Sequence, residues 1–167
     1  MRMEKDIIDV IQLHSDMVLR LAFSYVKGQA SAEDITQNVF VKYMTEDKIF
    51  ESQEHVKAWL LKVTINECKR HFRYFWNSHR VSSTTEEMEA FSQGISWENT
   101  EYEMVAEAIM KLPKKYSLQI HLYYYEELSI KEIAKLLNRK ENTIMSDLHR
   151  ARKLLRESLE EYYGRKG

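Results

Sequence analysis

The sequence predicts an all-α protein made of two small helical domains, joined by a flexible linker, with a helix-turn-helix domain at the C-terminal end. Only four glycines and one proline occur in 167 residues, and apolar residues recur every three or four positions, as along one face of a helix. Residues 78–99 differ, because they are rich in serine, threonine and glutamate and lack any period. Such a segment buries too little apolar surface to order itself, so it predicts the linker.

Two helices are predicted at the start of the chain. The first covers Asp6 to Val26, either as one helix or as two segments that meet near His14. Gly28 is expected to end this helix. Ser31, with Asp34 three residues later, predicts the N-cap of a second helix. This second helix has one apolar and one polar face, so it is expected to bury one side and expose the other.

A third helix is predicted to begin near residues 53–55, after a loop over residues 45–54. Between His55 and Arg80, six lysines and arginines accompany one acid, with aromatic side chains among them. This pattern suits single-stranded nucleic acid, because rings stack on exposed bases while cations follow the backbone. The same rings can instead close a small core, which is the interpretation we favour for Trp59.

Helical spacing resumes over residues 104–110, and Leu112-Pro113 predicts a new helix, because proline is favoured in a first turn. Tyr116, Ile120 and either Tyr123 or Tyr124 are expected to pack this helix against the elements that follow.

The next two helices form the predicted helix-turn-helix. Ser129 and Glu132 form a capping box that starts a short helix, and a polar interruption at 138–140 separates it from a longer one. Two amphipathic helices joined in this way can place the second in a DNA major groove. The apolar stripes contain Ile130, Ile133, Ala134, Leu137, Ile144, Leu148, Ala151, Leu155 and Leu159.

The opposite face of the second helix carries mostly donors for phosphates and base edges. DNA binding and an ordinary solvated surface both account for such a face. Its residues are Asn142, Met145, Ser146, His149, Arg150, Lys153 and Arg156, with Arg152 beside them.

The net charge of −1 is unevenly distributed: residues 1–76 are neutral, 77–110 carry −6 and 111–167 carry +5. The basic C-terminal part is compatible with DNA binding. No apolar run approaches the roughly 20 residues that span a bilayer, and the N-terminus carries acids where a signal peptide would be basic. Cys68, the single cysteine, suits a reducing compartment. We therefore expect a cytoplasmic protein.

No catalytic constellation is found in the sequence. The six histidines lack metal-ligand spacing, four glycines form no phosphate loop, and Cys68 has no local sign of activation. We expect no enzymatic activity, no metal and no cofactor.

Three stretches together resemble the extracytoplasmic-function sigma factors, the smallest group of the sigma-70 family, along essentially the whole chain. They are AEDITQNVFVKYM (32–44), HVKAWLLKVTINECKRHFR (55–73) and residues 112–155. The last stretch is the most specific, because its Leu-Pro, Lys-Tyr, Glu-x-Leu-Ser, Glu-Ile-Ala and Leu-His-Arg-Ala-Arg follow the family order.

The resemblance implies a promoter-recognition subunit of bacterial RNA polymerase. It implies a region 2 domain (1–77), an acidic flexible linker along the polymerase interior (78–100) and a region 4 helix-turn-helix domain (101–167). Core RNA polymerase and promoter DNA are the implied partners. By family analogy, a membrane-linked anti-sigma factor is a third.

Three residue sets follow from the resemblance, together with a loop at about 48–55 that would capture a flipped base. The polymerase-binding set is Asp34, Gln37, Asn38, Phe40 and Lys42. The minus ten set is Trp59, Lys62, Asn66, Arg70 and Arg73. The minus thirty-five set is Asn142, Thr143, Met145, Ser146, His149, Arg150, Arg152 and Lys153.

Three positions depart from the family pattern. Asn38 replaces a usual Glu, and Met145 and Asp147 replace residues that are commonly basic. Asp147 is therefore predicted to pair with Arg150 along the helix and to point away from phosphate.

Two other functions remain open from the sequence. A stand-alone helix-turn-helix regulator would need a dimer interface to read paired half-sites, and no zipper is evident. A helical adaptor would use the same fold without its basic helix ever meeting DNA.

Overall fold

The computed structural model describes residues 2–78 and 100–166, and the chain divides into two units, 1–94 and 95–167. The regular elements in these described ranges are all helical, which confirms the predicted all-α fold. The predicted linker lies outside the described residues, apart from its two end positions.

Three helices form the first unit: α1 (Glu4–Val26), α2 (Gln29–Thr45) and α3 (Gln53–Ser78). Each of the three packs against the other two. Their apolar faces meet in one core because hydrophobic residues recur at helical spacing on each of them. The most deeply buried apolar side chains are Val18, Leu21, Ala22, Ala32, Ile35, Val39, Leu60, Leu61 and Cys68.

The connection between α1 and α2 differs from the sequence prediction. Lys27, not Gly28, takes the left-handed conformation that ends α1, with φ at 57° and its N–H bonded to the Phe23 carbonyl. Gly28 is extended, with φ at −143°, and is the N-cap of α2. The predicted cap at Ser31 is therefore wrong, because α2 begins at Gln29 and Ser31 already lies within its first turn.

His14 lies in the middle of α1, which runs through it without a break, and its side chain is buried. Burial lowers the pKa of His14 from its ordinary value of 6.5, a hydrogen bond with Gln53 opposes that shift, and the nearby charge of Lys57 adds to it. Its Nε2 atom has no hydrogen-bond partner. A charged imidazolium is therefore disfavoured at this position.

This burial predicts a loss of stability in mild acid. The unfolded chain accepts a proton on His14 at a higher pH than the folded chain, so the free energy of unfolding falls as the pH drops below about 6.5. The fall ends once the lowered folded-state pKa has been passed. Urea denaturation should show a larger loss between about pH 7.5 and about pH 5.5 for the parent protein than for His14→Gln. Identical losses in both proteins would contradict the prediction.

Four helices form the second unit: α4 (Thr100–Lys111), α5 (Lys114–Ile120), α6 (Ile130–Leu137) and α7 (Glu141–Lys166). A π-helical turn, His121–Tyr125, continues α5. Helices α4, α5 and α6 all pack on α7, which therefore forms the centre of the unit. The most buried apolar side chains of the second unit are Ile120, Leu122, Ile133, Ile144, Leu148 and Ala151.

Burial in and after α5 agrees with one of the two alternatives that the sequence leaves open. Pro113 directly precedes α5, as its restart signal predicts, and Ile120 is buried. Tyr116 and Tyr123 are half-buried, whereas Tyr124 is about half exposed. Of the two alternatives, Tyr123 is therefore the more buried, and both tyrosines lie in the π-helical turn.

A buried pair closes the π-helical turn. The His121 Nε2 and Glu126 Oε1 atoms lie 3.1 Å apart, and the Glu126 N–H donates to the His121 carbonyl at 3.1 Å. The His121 ring also stacks on Tyr125, with centroids 5.3 Å apart. These contacts fix the chain just before it enters α6.

Candidate nucleic-acid interface

Helices α6 and α7 form the helix-turn-helix that the sequence predicts. Both bonds of the capping box are present: the Glu132 N–H donates to Ser129 Oγ at 3.1 Å, and the Ser129 N–H donates to Glu132 Oε1 at 3.3 Å. Asn138 ends α6 in the left-handed conformation, with φ at 54°. Helix α7 begins three residues later, at Glu141, so the turn occupies 138–140.

The solvent-facing side of α7 carries the whole minus thirty-five set. The buried positions Ile144, Leu148 and Ala151 lie on the opposite side and have no exposed surface. The apolar core therefore positions the solvent-facing side of α7 without burying the side chains on that side. All eight residues of the set are exposed: Asn142, Thr143, Met145, Ser146, His149, Arg150, Arg152 and Lys153.

Arg152 is held by tyrosines of the π-helical turn. Its Nε donates to the Tyr124 hydroxyl at 2.7 Å, and its guanidinium carbon lies 5.5 Å from the Tyr123 ring centroid and 5.7 Å from that of Tyr124. Sequence reasoning missed this contact because 28 residues separate Arg152 from Tyr124. Tyr124 also lies in a π-helical turn, which α-helical spacing does not predict.

Asp147 occupies the buried side of α7, where only 1% of it is exposed. Its Oδ2 accepts from Gln119 Nε2 at 3.0 Å, and its Oδ1 lies 3.5 Å from Lys115 Nζ and 3.8 Å from Arg150 Nη1. The predicted pairing with Arg150 is confirmed. Its burial and its two partners on α5 were not predicted, because no local pattern marks a carboxylate that faces another helix.

Four members of the minus ten set share one face of α3. Lys62, Asn66, Arg70 and Arg73 are all exposed, and their spacing of four, four and three places them in one line along the helix. Trp59 differs, because it is half-buried and its ring lies 5.6 Å from Phe50 and 6.1 Å from Tyr43, between centroids. This packing supports the core interpretation for Trp59.

The polymerase-binding set lies on α2, and four of its five members are exposed: Asp34, Gln37, Asn38 and Lys42. Phe40 is only 6% exposed, so its ring belongs to the core and can support the surface but not form it. Val41 and Met44, which the sequence analysis did not select, are exposed. Val41 follows Asn38 and Gln37 by three and four residues, so it adds an apolar element to the same face.

An ion pair joins this face to α3. The Lys42 ammonium contacts the carboxylate of Glu67, which is only 4% exposed. Glu67 follows Asn66 of the minus ten set, so the pair ties together the two helices that carry the predicted surfaces of this unit.

No group of three or more His, Cys, Asp or Glu side chains in the described ranges could hold a metal ion. Among the helices described above, none is both long and apolar enough to cross a membrane.

Comparison with known proteins gives a consistent result for both units. The model for sigma-70 region 2 matches residues 10–77, and that for sigma-70, region 4 matches residues 102–155. The chain is 29% identical over 150 residues to RNA polymerase sigma factor SigV of Bacillus subtilis, covering 90% of this chain and 89% of that protein. It is 27% identical over 164 residues to the ECF RNA polymerase sigma factor SigW of the same organism, covering 90% and 87%.

A solved structure has the same fold. The sigma factor RpoE of Bartonella quintana, in complex with the anti-sigma factor NepR, superposes with a TM-score of 0.74 at 22% identity, covering 93% of this chain and 98% of that one.

Proposed function

Because this chain belongs to the sigma-70 family, as a member of its extracytoplasmic-function group, we propose that it binds core RNA polymerase and directs initiation at specific promoters. The observation that carries the proposal is the placement of exposed polar faces on α2, α3 and α7, in the two units that match regions 2 and 4. In this role polymerase performs the catalysis and the chain is not an enzyme. Its site of action is the bacterial cytoplasm, where polymerase and chromosome meet.

The minus thirty-five element is the proposed target of α7. A helix of this kind enters the major groove, where side chains near its N-terminal end reach base edges and flanking cations hold phosphates. Asn142, Ser146 and Arg150 have the chemistry for base contacts, while Lys153 and Arg152 suit phosphate. Asp147 has no part in DNA contact, because it is buried against α5.

The minus ten element is the proposed target of α3 and the loop before it. Lys62, Arg70 and Arg73 follow the backbone of the melted strand, and Asn66 can pair with a base. The corresponding domains span 1–77 and 101–167, with residues 78–100 as the connection. Neither unit is strongly basic, and linking two weak DNA readers raises the effective concentration of each at its own element.

The exposed face of α2 is the proposed contact with polymerase. Asp34, Gln37, Asn38 and Lys42 offer polar groups, and Val41 offers apolar area to bury. Asn38 makes this contact less acidic than a glutamate would. A mixed surface of this kind resembles the polar rim and apolar centre of many protein interfaces.

An anti-sigma factor is the proposed regulator. The structural relative from Bartonella quintana is bound to one, and by analogy we expect this chain to be held inactive in a similar complex. Purification of the tagged chain from its native cell should recover such a partner, and recovery with polymerase alone would contradict this regulation.

Run-off transcription with core polymerase and genomic DNA tests the proposed function. Defined transcripts that require the added protein are expected. Specific binding to duplex DNA without polymerase, and no transcripts, would favour a stand-alone regulator. No effect on either DNA binding or transcription would favour an adaptor.

Arg150→Ala is expected to weaken promoter use. A lost base contact should cost about 1 to 3 kcal/mol and relax the preference at one base pair, whereas a lost phosphate contact should lower the salt slope by about one. Transcription from minus thirty-five variants across a salt series distinguishes the two outcomes. Lys111→Ala is the matched control, because Lys111 is an exposed cation on α4 outside the predicted set. Equal activity of the two variants would contradict the assigned role.

A further inference from the structure

The loop between α2 and α3, residues 46–52, is held by contacts at both of its ends. The Glu46 N–H donates to the Tyr43 carbonyl at 3.3 Å, and Ser52 Oγ accepts from the His55 N–H at 3.1 Å. Ile49, at its centre, is 86% exposed. Ile49 therefore projects into solvent. Within the loop the Lys48 N–H donates to Glu46 Oε1 at 3.2 Å, and contacts from outside the loop add to this bond.

Arg2, which precedes α1, supplies such a contact. Its Nε donates to the Tyr43 carbonyl at 3.0 Å and its Nη2 donates to the Lys48 carbonyl at 2.6 Å. One guanidinium thus bridges the end of α2 and the middle of the loop. The planar group presents its donors in a fixed fork, so the two bonds together define the distance and angle between these two carbonyls.

Two aromatic rings enclose the same guanidinium. Its central carbon lies 4.4 Å from the Tyr43 ring centroid and 4.7 Å from that of Phe50, within the range of a cation–π interaction. Phe50 belongs to the loop and meets Trp59 of α3 edge-on, with centroids 5.6 Å apart. Arg2 is therefore connected through Phe50 to the helix that carries the minus ten set.

A cavity of about 470 Å³ opens beside this cluster. Its walls include Arg2, Tyr43 and Phe50, together with Ser52 at the end of the loop and Gln53 at the start of α3. Loss of the Arg2 side chain would remove one wall and release the carbonyl of Lys48 at the same time. The shape of the cavity and the shape of the loop thus depend on the same residue.

We propose that Arg2 is a positioning residue for promoter opening: its guanidinium holds the 46–52 loop in the conformation in which the loop receives an unpaired promoter base. The inference rests on the proposed sigma-factor function. Arg2 acts through the loop and makes no DNA contact itself. Its effect is expected after duplex binding, at the step in which the minus ten strand separates.

Three variants test the proposal in holoenzyme made with core polymerase. Arg2→Ala removes both the bridge and the ring contacts. Arg2→Lys keeps the charge and a cation–π contact but cannot bridge two carbonyls as a planar fork does. Lys5→Ala is the control, because Lys5 is an exposed cation near the start of α1.

Permanganate reactivity of unpaired thymines measures opening, and gel shift measures binding to duplex promoter and to core polymerase. For Arg2→Ala we expect opening to fall about tenfold, with both affinities within about twofold of the parent. Arg2→Lys should be intermediate and Lys5→Ala unchanged. A set of forked DNA probes, each with an abasic site at a different minus ten position, adds a specific readout. The parent should bind one of these probes more weakly than the others, because that probe lacks the base that the loop receives. Arg2→Ala should bind all of the probes with similar affinity.

Hydrogen exchange of the free protein separates this inference from the proposed function. Amides of residues 46–52 should exchange faster in Arg2→Ala than in the parent, while those of α2 and α3 keep their protection. If the parent protein directs no initiation, the proposed function fails, and exchange still decides whether Arg2 positions the loop. Unchanged opening, or unchanged exchange in the loop, would overturn the inference.

Discussion

Leu148→Ala is expected to lower the free energy of unfolding of the 95–167 unit by about 2 to 5 kcal/mol, because it leaves a cavity at the centre of the unit. Leu148 has no exposed surface, and the neighbouring Ile144 and Ala151 are equally buried. Helices α4, α5 and α6 all pack on α7, so their packing cannot relax around the lost side chain without moving a helix. A small unit has only a few kcal/mol of stability to lose.

The measurement is amide hydrogen exchange of the full-length protein. Peptides from each unit give the protection of that unit separately. Protection of α5, α6 and α7 should fall in Leu148→Ala, while protection in the 1–94 unit is retained. Leu154→Ala is the matched control, since Leu154 lies on the same helix and is 38% exposed. Equal loss of protection in the two variants would refute the assignment of Leu148 to the core.

Asp147→Ala is expected to destabilise the same unit and to impair promoter recognition. Removing the carboxylate takes away the acceptor for the Gln119 amide, whose Oε1 already lacks a hydrogen-bond partner. An unsatisfied buried polar group costs about 1 to 3 kcal/mol. Loss of the carboxylate also frees the Arg150 guanidinium from the one acid that lies beside it on α7, so the recognition face changes together with the stability.

Asp147→Asn separates these two effects. An asparagine oxygen can still accept from Gln119, so most of the stability should return, whereas the attraction to Lys115 and Arg150 is lost with the charge. Urea denaturation should therefore rank Asp147→Asn above Asp147→Ala. Run-off transcription should show altered minus thirty-five preference in both variants. Full promoter preference in Asp147→Asn would mean that the charge has no influence on Arg150.

The helix-turn-helix is the part of the fold that the sequence predicts best. The capping box at Ser129 and Glu132 is a local signal, since both of its bonds join residues three apart. The apolar period of α7 likewise places Ile144 and Leu148 on one side without knowledge of their partners. Signals of this kind depend only on neighbours along one helix, which is why sequence reasoning recovers them.

The connection after α1 shows where local signals fail. Glycine usually takes the left-handed position at the end of a helix, yet Lys27 takes it here and Gly28 is extended. A left-handed lysine costs about 1 to 2 kcal/mol, and the packing of α2 against α1 offsets part of that cost. Sequence spacing alone carries no information about that packing.

The partners of the candidate site residues were the least predictable feature. Arg2 meets the loop 46 residues away, and Asp147 meets Gln119 across 28 residues. Phe40 and Val41 are adjacent in a predicted amphipathic helix, but burial separates them into core and surface. Contacts between elements depend on helix crossing geometry, which no single segment encodes.

In α7, the residues proposed to contact DNA and the residues that form the core occupy different sides of the helix, which affects how such proteins diversify. Every member of the minus thirty-five set is exposed, while the core uses Ile144, Leu148 and Ala151. Substitutions at exposed positions usually change stability by no more than about 0.5 kcal/mol. A gene duplicate could therefore acquire a new set of target promoters through successive changes on this side of α7, with little loss of stability at the positions that make no contact with buried side chains.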